Sequence, residues 1–563
     1  MKKVTSMFLA MAVVFGMGFS QSRAAETRPI AALAVASYND LVSDVNFVGN
    51  LIQRPQLGAV LDGGVAFITQ LKGLVGVDKT RRWGAVVQAS GEDDVSAYLF
   101  VPVTDFKQAL SLVELYCTVE SEGGVYKLTP KDGKKVGYLK QQGAWAFLAD
   151  KAEALAKCDA DPSALLGNLK NDYIVGARVF LANVPEGLRQ KFLSQLKQGL
   201  QKDAAQHADE SNEEYASRKK IIDQVEPYLT RVFSDLDQIV FGWGLDRTAE
   251  KTFVDLSVTA RPGTKTAEEM GLAAKSTTNF AGFRLPNATA TAAWAGTMPA
   301  AKQEIAASLI EFVRGKGLAG IEKKTPENKR AVAREVFNDG ADLLQKIVKS
   351  GHVDGVDTAV FGPDGATGLV AVYVADGALL DKILHAVAKG IIAEHPEVAQ
   401  FVKLDAEKSG SINFHKISVP VPKDAKDRET AVKLIGEKFD FVVGVGQENA
   451  YVAIGRDADT TLKKAIAASS QMGPKSVSPL EVSFAVEPVA AFVATAGKVP
   501  DRQNAAMVER ELKKTPGKDH VIFTVRPIAN GVQVHLEIEQ GLVRLFGRLV
   551  VMGLEHKTAA APE

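Results

Sequence analysis

The 563-residue sequence predicts an α+β fold made twice: two tandem homologous domains, each a mainly antiparallel sheet with helices on one face. Repetition is the first reason. Trp83-Gly84-Ala85-Val86-Val87, then Tyr98-Leu99-Phe100-Val101, then a helix from Asp105, recurs as Asp357-Thr358-Ala359-Val360-Phe361, then Val370-Ala371-Val372-Tyr373-Val374, then a helix from Asp376. Trp145-Ala146-Phe147-Leu148 likewise matches Tyr451-Val452-Ala453-Ile454, and Ile239-Val240-Phe241 matches Val521-Ile522-Phe523. The second reason is that these segments are short β-branched and aromatic runs bounded by turn residues, the signature of strands. The third is that the segments between them space their apolar residues at helical rather than alternating intervals.

Taken in order, the first copy opens with a strand at Ile30–Ala36, a helix at Asn39–Ile52 and a second helix around Val65–Leu74. Strands at Ala85–Ala89 and Ala97–Val103 precede a helix from Thr104 to Tyr116, on which Phe106, Leu110, Val113 and Tyr116 share a face. Strands at Gly124–Leu128, Lys135–Lys140 and Ala144–Ala149 follow, with Lys131-Asp132-Gly133 as a hairpin turn. A helix at Lys151–Lys157 and a strand at Tyr173–Leu181 complete a ferredoxin-like βαββαβ element with one extra strand. A helix opened by Pro185 then buries Leu188, Phe192, Leu196 and Leu200. Residues 201–220 are so polar that they predict a solvated or partly disordered helical insert. The copies span 25–276 and 277–556, joined through the Thr/Ala/Gly/Lys-rich stretch Pro262–Pro286 with a short helix at Ala267–Ala274. The second copy adds a strand at Thr289–Gly296, helices at Ala300–Arg314 and Glu327–Phe337, a Lys/Pro/Asp-rich loop at Val419–Arg428 and an apolar last helix at Gly541–Leu554. That helix either caps the second sheet, the favoured reading, or lies on a membrane surface. Residues 557–563 form an Ala/Pro-rich tail expected to be disordered.

The N-terminus predicts export. Lys2 and Lys3 precede an apolar stretch, Met7–Phe19, too short for a permanent span, and Ser22-Arg23-Ala24 offers a peptidase site, so 1–24 reads as a signal peptide cut after Ala24. No later stretch is long and apolar enough to span a membrane, which predicts a periplasmic or extracellular protein. The whole chain carries 67 basic and 67 acidic residues, which argues against a nucleic-acid partner held by bulk positive charge.

Chemistry is sparse. Asp105, Asp376, Asp150 and Asp457 repeat between copies, but an aspartate that opens a helix is expected as a cap on free backbone N–H groups. Gly76-Val77-Asp78 matches Gly355-Val356-Asp357, which reads as a turn before a strand. His352, Asp354 and Asp357 are the weak candidates for a metal, without the spacing of a zinc signature. His207-Ala208-Asp209-Glu210 lies in the polar insert and reads as a solvated face; His385, His415 and His535 read as satisfied or exposed. Gly444-Val445-Gly446 precedes a strand rather than a helix, so it belongs to a hairpin and not to a phosphate loop. No cofactor motif is present. The two cysteines, Cys117 and Cys158, sit at helix ends on one side of the expected element; they either form a disulfide or remain two buried thiols.

Asp78-Lys79-Thr80-Arg81-Arg82-Trp83-Gly84-Ala85-Val86 and Phe100-Val101-Pro102-Val103-Thr104-Asp105 resemble uncharacterised exported proteins of planctomycete-type bacteria. The resemblance covers mainly the first copy, implies a secreted or periplasmic setting, and assigns no residue a role. What the copies share is apolar patterning rather than reactive groups. The expectation is therefore a non-enzymatic envelope protein, a binding or structural module whose partner is an envelope protein or an apolar small ligand. The alternative is an envelope hydrolase with an acidic/histidine site in one copy only.

Overall fold

The computed structural model describes residues 27–559 apart from 93, 134–135, 160, 171–172, 209, 363–364, 426–427 and 497–498. The expected signal, 1–24, and the last four residues of the expected tail lie outside them. The chain is α+β with antiparallel strands throughout, and it divides into two compact units. Unit one holds the residues up to Ser194, Leu236–Thr259 and those from Val543 on; unit two holds Gln195–Asp235 and Ala260–Leu542.

In unit one the strands are β1 (Arg28–Val35), β2 (Trp83–Ala89), β3 (Val95–Pro102), β4 (Cys117–Glu122), β5 (Val125–Pro130), β6 (Gly137–Gln142), β7 (Trp145–Ala149), β8 (Val175–Phe180), β9 (Leu236–Asp246) and β10 (Lys251–Ala260). They pair in the order β4–β5–β6–β7–β3–β2–β1–β8–β9, all antiparallel, with β10 beside β9. Alternation along each strand sends one face inward. Tyr98 and Phe100 of β3 meet Phe147 and Trp145 of β7 edge to face, at ring separations of 5.7 and 5.5 Å. Leu155 and Leu166, on the short helices Ala152–Ala156 and Ser163–Leu166, close this core. On another face Phe106, Leu128, Leu139 and Ala146 form a second cluster.

The helices of unit one depart from expectation in instructive ways. After α1 (Tyr38–Leu51) the next helix is α2 (Leu57–Ile68), not Val65–Leu74. Gln70 and Leu71 take left-handed φ values of 50° and 69°, which end it. Helix α3 (Phe106–Val113) stops short of Tyr116, and Cys117–Glu122 becomes β4, because its Thr-Val alternation suits a strand edge better than another helical turn. Tyr116 is accordingly exposed. The helix opened by Pro185, Glu186–Asp203, buries Leu193 and keeps Leu188, Leu196 and Leu200 part-buried, while Phe192 is half exposed and so drops out of the expected stripe.

The described residues around the polar stretch 201–220 are held by local hydrogen bonds. Ser211 Oγ accepts the Glu214 N–H at 3.2 Å while the Glu214 carboxylate accepts the Ser211 N–H at 3.1 Å, a reciprocal capping box that starts the helix Asn212–Asp235. Arg218 clasps Glu210 at 2.6 Å and donates to the Asp203 and Ala205 carbonyls. This hydrogen-bonded pairing pulls the Glu210 carboxyl down to about 2.

Unit two follows the same plan with β11 (Ala290–Thr297), β12 (His352–Gly362), β13 (Gly365–Tyr373), β14 (Val402–Ser409), β15 (Ile412–Pro420), β16 (Lys438–Val445), β17 (Asn449–Gly455), β18 (Leu480–Ala485), β19 (His520–Ile528) and β20 (Gly531–Glu539). Their antiparallel order is β14–β15–β16–β17–β13–β12–β11–β18–β19–β20. The stretch expected as a join supplies two of its core side chains: Phe280 and Phe283 are fully buried, and Phe283 stacks on Tyr451 at 5.8 Å. Unit two resumes at Ala260, ahead of these phenylalanines, and includes the polar insert and the Arg231–Glu269 pair at 2.8 Å.

The last helix, Gln540–Ala559, continues through the start of the expected tail. From Val543 it belongs to unit one rather than capping the second sheet. Gly547 permits this: a Cβ there would lie 2.0 Å from Ile52 Cγ2. Among the described residues no helix is long and apolar enough to cross a membrane.

Candidate functional site

Between β11 and β12, unit two carries two long helices, Ala300–Lys324 and Glu327–Ser350, joined at Thr325-Pro326. The second is twice as long as its expected span to Phe337. A third helix, Gly377–Glu394, follows β13. The three enclose a trough of about 1360 Å³. Its walls are Leu309, Val313 and Ile321 on the first helix, Val332, Val336, Leu343 and Leu344 on the second, and Leu380, Ile383, Val387 and Ile391 on the third. Ala333, Gly340, Ala341, Ala386 and Gly390 keep it open, since small side chains at helical spacing leave space where a leucine would fill it. The first two helices pack together at Gly317, where the Phe337 ring occupies the place of a Cβ.

Leu309, Val313, Val332, Leu344 and Ile391 are each about half exposed here, an arrangement that water disfavours and that marks binding surfaces. The rim charges are matched among themselves. Arg314 pairs with Asp342 at 2.6 Å, Lys329 with Glu394 at 2.7 Å, and Lys382 with Asp339 and Glu335 at 2.8 and 2.9 Å. These carboxylates raise the Lys382 ammonium above its ordinary value, and Lys329 lowers the Glu394 carboxyl. The trough is thus an apolar channel edged by neutralised ion pairs.

Unit one has a smaller and polar cleft of about 460 Å³, lined by Asp40, Asp44, Arg81, Arg82, Trp145 and Arg247 among others. Arg81 lies over the Trp145 ring at 4.1 Å, Arg82 donates to the Tyr173 carbonyl, and Arg247 approaches Asp44 at 3.6 Å. Burial raises the Asp44 carboxyl, partly offset by Arg247.

No family model, curated protein or solved structure matches the chain. The site must therefore be argued from its own residues.

The structure separates the sequence candidates for a metal. His352 packs edge-on against Tyr373 with rings 4.6 Å apart, and Asp354 is buried with Oδ2 accepting the Asn279 N–H at 2.8 Å. Asp357 is exposed and, an odd number of residues along the same strand, faces the other side of the sheet. Cys117 and Cys158 are free thiols rather than a disulfide. They belong to different apolar clusters, and Cys158 Sγ donates to the Leu155 carbonyl at 3.1 Å. Burial raises both thiols above their ordinary range.

Asp105 and Asp376 cap their helices, accepting the Gln108 and Leu379 N–H groups at 3.1 and 2.9 Å. Asp457 occupies a cap position without a side-chain bond, at φ 50°, and Lys151 rather than Asp150 precedes its helix. Gly76 lies in a loop whose carbonyl accepts from Thr104, whereas Gly355 lies inside β12, so that sequence match is not a shared turn. Sequence reasoning missed the trough because its lining comes from three helices, one of which was expected to end at Phe337. The readable signal was Val332, Val336 and Leu343, spaced four and seven residues apart on one helical face.

Proposed function

We propose that the chain is an exported α+β protein, made of two homologous domains, that carries an apolar ligand in the trough of unit two. The N-terminal charge-then-apolar pattern and the resemblance to exported planctomycete-type proteins support export. The matching strand orders of the two units support duplication, each holding a ferredoxin-like element with added strands. The ligand reading rests on one observation: a channel of about 1360 Å³ whose large aliphatic side chains stay half exposed while its rim ions are already paired. Ordinary small-molecule pockets run to roughly 1,000 Å³, so a long hydrocarbon such as a fatty acyl chain fits better than a compact metabolite. The rim pairs Arg314–Asp342 and Lys329–Glu394 are already neutralised, so the reading draws its binding energy from chain burial.

Native mass spectrometry of protein purified from its own envelope fraction tests the reading, together with titration of a dansyl-labelled C11 fatty acid. One co-purified lipid per chain and saturable probe binding, lost in Leu344→Glu and Val387→Glu, are expected. A chain that arrives empty and binds the probe equally well in both variants would sink the proposal.

A further inference from the structure

The face of helix Gly377–Glu394 opposite the trough carries a second constellation. Asp381 and His385, one turn apart, point toward the β14–β15 hairpin. From β15 come Asn413 and His415, two residues apart and so on one face. From β14 comes Asp405. The pairing register jumps from Lys403↔Lys416 to Glu407↔Phe414, so three residues of β14 oppose His415 alone. Asp405 sits at the middle of this bulge with a left-handed φ of 50°, a conformation aspartate tolerates better than most residues. The bulge turns its carboxylate back onto the histidines.

We propose that His385, Asp405 and His415 form a site for a divalent late-transition-metal ion, of which zinc is the type. One ligand atom from each of the three lies within 4.8 Å of the others. The Asp405 carboxylate lies 3.0 Å from His385 Nε2 and 4.0 Å from His415 Nδ1. Zinc–nitrogen and zinc–oxygen bonds of roughly 2.1 Å place tetrahedral ligands about 3.4 Å apart, within a small rotation of that arrangement. The other ring nitrogens are already fixed. His385 Nδ1 meets the Asp381 carbonyl at 2.9 Å, and His415 Nε2 meets the Asp381 carboxylate at 2.9 Å. A single residue thus orients both rings, in the way outer partners hold ligating histidines by the nitrogen that the metal does not use. Asn413 donates to both the Asp381 and Asp405 carboxylates, at 3.1 and 2.6 Å, and keeps them on this side of the hairpin. The ion would take the His415 Nδ1 lone pair that now accepts the Asp405 N–H at 3.2 Å.

Burial is graded: His415 is 5% exposed, while the Asp405 side chain is 58% exposed. Two histidines and one carboxylate with a solvent-facing side are the donor set of zinc sites that keep an open position for water or substrate. Two imidazoles argue against magnesium and calcium, which prefer oxygen ligands. The fold does not require the cluster. The counterpart helix α3 and strands β4 and β5 contain no histidine, and unit one manages without it.

The test is isothermal titration of the untagged, EDTA-stripped full chain with zinc chloride, and separately with magnesium chloride. One zinc per chain is expected, with no measurable magnesium heat. His385→Ala and Asp405→Asn, both at partly exposed positions, should each weaken zinc at least tenfold while retaining the wild-type circular dichroism spectrum. If either variant unfolds, the other decides. Absence of stoichiometric zinc binding, magnesium binding of equal strength, or zinc binding unchanged in the folded variants would overturn the site and leave a hydrogen-bond network that pins helix to hairpin.

Discussion

The Asp354 carboxylate is buried, and its Oδ2 holds the Asn279 N–H at 2.8 Å. Burial raises its carboxyl above the ordinary value, partly offset by the Asn279 bond. The folded chain therefore binds that proton more tightly than the unfolded chain. Its contribution to stability is fully present below the unfolded pKa of about 3.9 and is lost as pH rises through the folded value. Asp354→Asn keeps an acceptor for Asn279 and removes the ionisation. The variant should gain roughly 1 kcal/mol over wild type at pH 8, and the gain should shrink toward pH 4. Urea melts of both proteins at the two pH values read this; a variant less stable at pH 8 would show that the ionised form is the one the fold holds. The cysteines give a second residue-scale outcome. Unfolding in guanidinium without reductant should expose two thiols, seen as two iodoacetamide adducts in the intact mass. An unmodified chain would mean that Cys117 and Cys158 are bridged.

Among elements, helix starts show how local chemistry and chain context divide the work. Asp105 and Asp376 were legible as caps from the residue type alone, but Asp150 and Asp457 fit the same pattern and do not cap. The difference lies in backbone angles: Asp105 and Asp376 are extended, at φ −140° and −157°, whereas Asp457 is left-handed. Spacing along the sequence does not reveal those angles. Asp105→Ala should cost about 1 kcal/mol, and Asp376→Ala at least as much because Asp376 also pairs with Lys346 at 2.5 Å. Chemical denaturation of each single variant measures both; equal stability to wild type would mean water replaces the caps. Strands with β-branched alternation, such as β2, β3, β7 and β17, were legible because period two and burial agree. Strand β4 was not, because only Val119 and Cys117 of its six residues meet the core. The Ser211–Glu214 capping box was visible as Ser-Asn-Glu-Glu, yet the polarity around it pointed to disorder. The histidine cluster was illegible in principle: His385, Asp405 and His415 come from three elements, and a two-residue slip at the bulge decides whether they meet.

Among the described residues, the ten strands β1–β10 and the ten strands β11–β20 follow one order of pairing, and what differs is what hangs from it. In unit one the helices after the first strand run for 14 and 12 residues; in unit two the corresponding pair runs for 25 and 24. The trough is lined by both of these longer helices together with Gly377–Glu394. Helices of 24 residues span about 36 Å, long enough to lie along an extended acyl chain. Such a ligand binds only the folded chain, so mass action requires it to stabilise the fold. At a free concentration one hundred times its dissociation constant the gain is about 2.7 kcal/mol. Palmitate below its aggregation limit should therefore raise the melting temperature of the full chain in a saturable way. Leu344→Glu, which places a charge at a half-exposed point on the wall, should melt near the wild-type temperature without palmitate, since an exposed helical position tolerates glutamate, and should not respond when palmitate is added. Equal stabilisation of both proteins would locate fatty-acid binding elsewhere and return the trough to the status of an uncovered protein-docking face.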